Sequence, residues 1–418
     1  MSSAAAETRL PDSTWLDEAT LSRLLAILSA DGEEARVVGG AVRNALINEP
    51  LGDIDIATTL EPSETMRRVK KAGFKAVPTG FAHGTVTVVA RDKVYEVTTL
   101  RQDIETFGRK AAVRFGRDWK RDAERRDFTI NALSVSPDGS VHDYVGGRDD
   151  LDVRRVRFIG DAQTRIREDY LRILRFFRFH AAYGKGRPDD EALQACVAMR
   201  SGLDQLSRER VRAEMMKLLV ARGAADTLAV MADCGLLLRV MGGVPNVRIC
   251  ARMIAIESAL NLQADPVRRL AALAVATIED AMRLGERLRL SNAERDRLIS
   301  AASEWPRTGD PGAARALRAR LYRLGPVLFT DAILLAWARA VAAPDDAIWQ
   351  NAATLPERWQ APRLPFKAAD LIGRGLAKGP ALGAALADAE AAWIATDFPA
   401  DAATQADLLD GVAARYRG

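Results

Sequence analysis

Residues 51–58 read LGDIDIAT, and the fold turns on how these eight residues are understood. Apolar and β-branched residues run together as in a buried strand, yet Asp53 and Asp55 interrupt them. Successive side chains of a strand point to opposite faces, so residues two apart share a face and the two carboxylates are expected side by side. Carboxylates that close repel unless one is protonated or a cation lies between them. A hard divalent ion such as Mg²⁺, which takes oxygen ligands and bridges substrate phosphates, meets that need. Asp53 and Asp55 are therefore the expected metal ligands. The plainer alternative is a turn at Gly52-Asp53 followed by a solvated Asp55.

Upstream, RVVGGAVRN (36–44) reads as a short strand, a glycine turn and the start of a helix. Without side chains at Gly39 and Gly40, phosphate oxygens can approach backbone N–H groups at the helix start, and Arg43 in the first turn is placed to clamp the same phosphates. An amphipathic helix over 15–29 precedes this unit. Downstream, a helix over 62–73 ends at Gly73. GTVTVVARDKVYEVTTL (84–100) then has two β-branched runs on either side of a polar turn at Arg91-Asp92, a hairpin pattern. If the second run lies beside the D-x-D strand, Glu96 joins the acids. Three carboxylates can hold one or two divalent ions that bind a triphosphate, lower the pKa of an attacking hydroxyl and stabilise leaving pyrophosphate.

From about residue 160 the pattern changes to helical periodicity with few strand signals, broken near Gly243-Val244-Pro245, Trp305-Pro306 and residues 355–365. In REDYLRILRF (167–176), Asp169 and Arg172 are three apart and are expected on one helix face. Such a pair imitates a base edge. The carboxylate accepts from the exocyclic amino group of C or A while the guanidinium donates to the neighbouring ring acceptor, and U and G offer a carbonyl where the carboxylate requires a donor. The alternative is an ordinary i,i+3 salt bridge worth about a few tenths of a kcal/mol.

The bulk numbers set the frame. A length of 418 residues, 48% hydrophobic and 28% charged, suits two or three globular domains and excludes a disordered chain. No signal-peptide pattern and no spanning helix is expected, because the richest apolar stretches are short or carry arginine. Three scattered cysteines fit reduced thiols in a cytoplasmic protein. Three scattered histidines do not make a zinc site, and His142-Asp143 reads as a strand end. Net charge is +4, but arginines crowd residues 101–178 whereas residues 381–410 have no Lys or Arg, so a polyanion is expected on the first half.

GGAVRN, GDIDIAT, HGTVTVV with YEVTTL, and RRDFTINAL (125–133) follow one another in an order that resembles the class II tRNA nucleotidyltransferases, the CCA-adding enzymes, and the similar bacterial poly(A) polymerases. The resemblance covers roughly residues 36–215. It implies that Asp53 and Asp55 bind catalytic Mg²⁺ with Glu96 as the third acid, and that Arg125, Arg126 and Asp127 contact the nucleotide's sugar and phosphates. It implies that the E-D-x-x-R run of Glu168, Asp169 and Arg172 selects CTP and ATP without a template, with Glu168 in support. Glu209, Arg210 and Glu214 of SRERVRAEMMKLL resemble the family's E-R-x-x-x-E segment, which braces that helix. Gly146-Gly147 resembles the family's joint between head and neck, and the segment around Gly379-Pro380 resembles a tail seen in some members. Where the family reads G-G-x-x-R-D, this chain has Asn44.

The expected fold is α+β: an N-terminal helix (1–30), a nucleotidyltransferase head with a small mixed sheet (31–150), a helical neck for nucleotide selection (151–220) and a helical body and tail for tRNA (221–418). The expected activity is addition of CCA to tRNA 3′ ends from CTP and ATP with release of pyrophosphate. A poly(A) polymerase, a partial enzyme adding only CC or A, and a non-catalytic RNA-binding protein on the same fold stay open as alternatives.

Overall fold

The computed structural model describes residues 8–90, 93–107 and 110–417. It divides into two compact units, Met1–Val240 and Met241–Gly418. The first begins with β1 (Thr8–Arg9), α1 (Ala19–Leu28), β2 (Ala35–Val38), α2 (Gly40–Leu46), β3 (Asp55–Thr58) and α3 (Pro62–Lys71). It continues with β4 (Lys75–Gly80), β5 (Thr85–Ala90), β6 (Lys93–Thr99), β7 (Arg101–Phe107), β8 (Lys110–Phe115), α4 (Trp119–Glu124), β9 (Ser134–Val135) and β10 (Ser140–His142). Helices then take over: α5 (Gly147–Asp152), α6 (Ala162–Glu168), α7 (Leu171–Tyr183), α8 (Asp190–Ala198), α9 (Arg208–Leu219), α10 (Ala224–Asp233) and α11 (Leu236–Met241).

Among the described residues, eight strands form one mixed sheet in the order β1-β10-β9-β2-β3-β6-β5-β4, and β7 with β8 makes a separate ribbon. The α+β expectation is met. β5 and β6 pair antiparallel as the hairpin pattern requires, while the turn at Arg91-Asp92 lies outside the described residues. β4 and the β7–β8 ribbon were not foreseen. Alternation shows in β5, where Val86, Val88 and Ala90 are buried and Thr85 and Thr87 are half-buried. α1 and α3 contact each other, and Leu21, Leu24, Leu25 and Leu28 of α1 are buried with Val69 of α3. α7 packs on α9 and α10, and its Phe176, Phe177 and Phe179 join Phe128 and Phe158 in an aromatic cluster with Phe128–Phe158 centroids 4.9 Å apart.

The second unit is helical: α12 (Val247–Ala259), α13 (Pro266–Ala274), α14 (Ile278–Arg287), α15 (Asn292–Glu304), α16 (Ala314–Arg339), α17 (Ala347–Ala353), α18 (Leu355–Arg358), α19 (Ala368–Ile372), α20 (Pro380–Ala395) and α21 (Ala402–Tyr416). The foreseen breaks fall between α11 and α12, after α15 and after α18. Buried Asp331 of α16 accepts from Arg268 of α13 at 2.9 Å and from Arg297 of α15, and buried Glu257 of α12 accepts from Arg268 and Arg269. Four helices are thereby tied by charges that satisfy one another, as buried charges must.

Helix α16 is long and apolar enough to cross a membrane by length and composition, a length that its sequence did not suggest. It is two helical segments that meet at Gly325, which has φ 73° and ψ 170°, and Pro326; the first carries Arg315, Arg318, Arg320 and Arg323 and the second is the apolar one. Of its apolar window 56% is buried, with Phe329, Ile333, Leu334 and Trp337 inside the unit, which is the setting of a core helix.

Candidate active site

The site is built on the end of β2, the start of β3 and the middle of β6. β2 stops at Val38 because Gly39, at φ 71°, turns the chain into α2 through a left-handed conformation open to glycine. A Cβ on Gly39 would come within 3.4 Å of Arg126 Nη1. β3 pairs antiparallel with β2, Asp55 opposite Val38, and parallel with β6, Asp55 opposite Glu96. The neighbour relation expected of Glu96 is present.

Asp53 departs from expectation. The strand begins at Asp55, so Asp53 is not its neighbour on one pleated face. The cause is the end of β2 at Val38: beyond Asp55, β3 has no antiparallel partner to hold it extended. Asp53 is exposed in the preceding irregular segment and still lines the same cleft. The Asp55 carboxyl is pushed up to about 6, first by burial and then by Glu96 and Asp53, against a lowering by Arg126. Negative charge thus accumulates at this point.

The cleft has a volume of about 1110 Å³. Its lining includes Gly39, Gly40, Arg43, Asp53, Asp55, Glu96, Arg125, Arg126, Asp127, Glu168, Asp169, Arg172 and Arg210, so the structure brings these foreseen residues together. Glu209 is exposed and does not line it, and Glu214 is buried beneath it. Many of the polar groups are already engaged. Arg125 and Arg126 reach buried Asp122 at 2.7 and 3.2 Å. Asp127 is buried and accepts from the Phe128 N–H, from Asn131 Nδ2 and from Arg175. Arg43 is buried against Tyr183, its guanidinium carbon 3.8 Å from the ring centroid. It donates to Asn131 Oδ1 at 2.5 Å, to the Tyr183 hydroxyl at 2.6 Å and to Asn44 Oδ1. Asn44 in turn donates from Nδ2 to the Pro50 carbonyl at 2.8 Å, a bond that a carboxylate there has no hydrogen to make.

The Asp169–Arg172 geometry also differs from the expected i,i+3 pair on one helix. Asp169 is extended (φ −158°) at the break between α6 and α7, and its Oδ1 accepts the Leu171 N–H. A short acid there satisfies a donor that the start of α7 leaves open. Its ion-pair partner is Arg210 of α9, at 3.2 and 2.5 Å. Arg172 instead bonds Glu168 and the Arg165 carbonyl. Glu214 of α9 holds Arg178 of α7 at 2.5 Å.

Sequence reasoning missed Asn131, Arg175, Arg178, Phe179, Tyr183 and Lys217, which line the cleft too. A signal existed: Arg172, Arg175 and Arg178 recur every three residues, a spacing that keeps them near one face of α7. Asn131 lay within the quoted RRDFTINAL run without a role.

The donor set suits a divalent ion. Among the described residues no three His, Cys, Asp or Glu side chains are gathered into a closed cage. Mg²⁺ does not need one, since it is held by one or two carboxylates together with substrate phosphates and water. Asp55 and Glu96 side by side, with Asp53 lining the same cleft, offer such an open set.

The sheet, the acids and the glycine turn define the nucleotidyltransferase class. The Poly A polymerase head domain family matches residues 35–157, and the family described as probable RNA and SrmB- binding site of polymerase A matches residues 187–246. The chain is similar to the CCA-adding enzyme of Limosilactobacillus fermentum, 32% identical over 87% of this chain and 89% of that protein. It is 43% identical to the mitochondrial CCA tRNA nucleotidyltransferase 1 of Danio rerio over 51% of this chain and 50% of that protein. The chain spans about half the length of most of the curated relatives it matches. A crystal structure of the Bacillus stearothermophilus CCA-adding enzyme in complex with CTP superposes with a TM-score of 0.73 at 27% identity, over 94% of this chain and 97% of that one. The chain belongs to the CCA-adding enzyme family.

Proposed function

We propose that this protein adds C, C and A to the 3′ end of tRNA from CTP and ATP, releasing pyrophosphate, with Mg²⁺ as its cofactor. The observation that carries this reading is the single cleft that joins the β3 and β6 acids, the Gly39-Gly40 turn and the Asp169–Arg172 region of the neck. A nucleotide that spans it has its triphosphate at the turn, beside Arg125 and Arg126, and its base against Asp169 and Arg172. The curated relatives named CCA-adding enzymes support the product, and the CTP in the B. stearothermophilus structure supports the substrate.

In this reading the primer's 3′ hydroxyl gives up its proton beside Asp53 and Asp55. Its oxygen bonds to the α-phosphorus as the bond to the pyrophosphate oxygen breaks. When bound, Mg²⁺ lowers the pKa of that hydroxyl and neutralises the leaving charge. Arg125 and Arg126 hold phosphate oxygens in their forks. Asp169 accepts from the exocyclic amino group of C or A. A carboxylate accepts about four hydrogen bonds, and Leu171 and Arg210 supply three. One acceptor position therefore remains on Oδ2. Arg172 uses Nη1 on Glu168 and Arg165, and in this reading Nε and Nη2 donate to the ring acceptor. Lys and Arg of the head and neck hold the acceptor arm by backbone and shape. The domain roles are those given above: head for chemistry, neck for selection, body and tail for tRNA. Three free cysteines support a reducing compartment, in our reading the cytoplasm.

The test is extension of tRNA transcripts ending before CCA, after C and after CC, with Mg²⁺ and CTP, ATP or both, sized to one nucleotide. Three additions ending in A are expected. Long A tails on any RNA refute the reading in favour of a polymerase, and one or two additions in favour of a partial enzyme. Absence of any incorporation favours a non-catalytic protein.

A further inference from the structure

A closed ring of polar contacts joins the base-reading helix to the phosphate turn, and its centre is a residue without an assigned role. Asn131 Oδ1 accepts from Arg43 of α2 at 2.5 Å, and Asn131 Nδ2 donates to Asp127 Oδ1 at 3.1 Å. Each outer arm then returns to α7. Arg43 donates to the Tyr183 hydroxyl at 2.6 Å, and Arg175 donates to Asp127 Oδ2 at 2.7 Å. Asn131 is 8% exposed and lines the cleft. Arg175 and Tyr183 are eight residues apart, roughly 12 Å along the helix axis, so two distant points of α7 are tied to one side chain.

We infer that Asn131 is a positioning residue that fixes α7 relative to the Gly39-Gly40 turn and thereby sets discrimination between CTP and UTP. The inference rests on the reading of α7 as the base-selecting helix given above. A bound nucleotide touches both ends of this arrangement, its base at the start of α7 and its phosphates at the turn. Correct and incorrect bases differ by which groups meet Asp169 and Arg172, so discrimination survives only while the distance between those groups and the turn is held. An amide is the side chain that fits. It offers one acceptor to a cation and one donor to an anion at once, whereas aspartate lacks the donor and repels Asp127, and alanine leaves both neighbours short of a partner.

The test uses the full chain with Asn131→Ala, Tyr183→Phe and the double substitution. Dissociation constants for CTP and for UTP are measured by calorimetry with Mg²⁺, alongside melting temperature. Tyr183→Phe keeps the ring beneath Arg43 and removes only the hydroxyl, so it carries the test if Asn131→Ala does not fold. The wild type is expected to prefer CTP. Each single variant is expected to shrink that preference by about fivefold, the scale of one buried hydrogen bond. The double variant is expected to lose no more than the larger single one, because residues of one network do not add. Equal weakening toward both nucleotides, full additivity, an unchanged preference in both single variants, or a wild type that binds CTP and UTP equally would overturn the inference. Wild-type tRNA extension is run beside it. A wild type that extends nothing while the preference shifts as expected refutes the proposed function and leaves the ring standing.

Discussion

Arg210→Ala is expected to cost base discrimination more than fold. Arg210 supplies two of the three hydrogen bonds on the Asp169 carboxylate, at 3.2 and 2.5 Å, and the Leu171 N–H supplies the third. Both side chains of the pair are about four-fifths buried, at 18% and 19% exposure. The pair therefore lies between an exposed ion pair, worth about 0–1 kcal/mol, and a fully buried one, whose rupture costs about 3–5 kcal/mol. Two charge-assisted bonds in that setting are worth about 1.5–3 kcal/mol, roughly 10- to 100-fold if all of it bears on how Asp169 meets the base. The assay is kcat/KM for a single CTP or UTP addition to a tRNA transcript. The ratio is expected to fall by up to about 100-fold in Arg210→Ala, and by less in Arg210→Lys, which keeps the charge but not the fork. Equal losses for CTP and UTP would refute the reasoning, for they would mean that Arg210 supports the neck without orienting Asp169.

Wild-type protein with Mg²⁺ and CTP at 100 times Kd is expected to gain about 2.7 kcal/mol of stability, a gain that EDTA or Asp53→Ala with Asp55→Ala abolishes in a melting experiment. Asp331→Ala removes one of two carboxylates from each of Arg268 and Arg297, which keep Glu257 and Asp265, and is expected to cost about 1–3 kcal/mol in denaturant unfolding, with unchanged stability refuting the role of that network. Acid stability has a definite sign at Asp127: burial alone would raise its carboxyl, but Arg175 and Asn131 outweigh this and hold it below the usual range. A depressed folded pKa contributes stability above the unfolded value near 3.9 and loses it as pH falls through the folded value. Asp127→Asn, already less stable at neutral pH, is therefore expected to lose less than the wild type as pH falls below the usual carboxylate range, as followed by thermal melting.

How much of this was legible in LGDIDIAT and its surroundings depends on the range of the interaction. The β2–turn–α2 unit was readable because Gly39 is demanded locally by a positive φ, and the β5–β6 hairpin because alternation and a polar turn are local too. That Glu96 stands beside Asp55 was stated only as a condition, since the parallel pairing of β3 with β6 spans some forty residues and no local pattern fixes its register. β4 and the β7–β8 ribbon escaped notice for a related reason. KAVPTG in β4 has a proline and no buried alternation, the composition of a strand at the sheet edge. Helix α16 reads as an arginine-rich run before Gly325-Pro326 and a short apolar run after it, so no single long helix shows in the sequence.

The site shows the same division, with a consequence for what a motif is. Residue types were legible at the acids and at Asp169 and Arg172, but partners were not. Spacing alone pairs Asp169 with Arg172, whereas the chain breaks between α6 and α7 at Asp169 and the acid takes Arg210 from 41 residues away. Arg172 is then left to Glu168, four residues back. The two groups proposed to read the base are thus oriented by different elements, α9 for the acid and the end of α6 for the arginine. A substitution on α9 should accordingly disturb the donor test applied to the base by Asp169 while leaving the acceptor test of Arg172 intact. Comparing a cytosine analogue that lacks the exocyclic amino group but keeps the ring acceptor with one that keeps the amino group but lacks the ring acceptor separates the two in Arg210→Ala: the first should gain relative to CTP and the second should not. A variant that admits both alike would mean that the pair moves as one unit, as the spacing first implied, and that the separate partners in the structure do not govern selection.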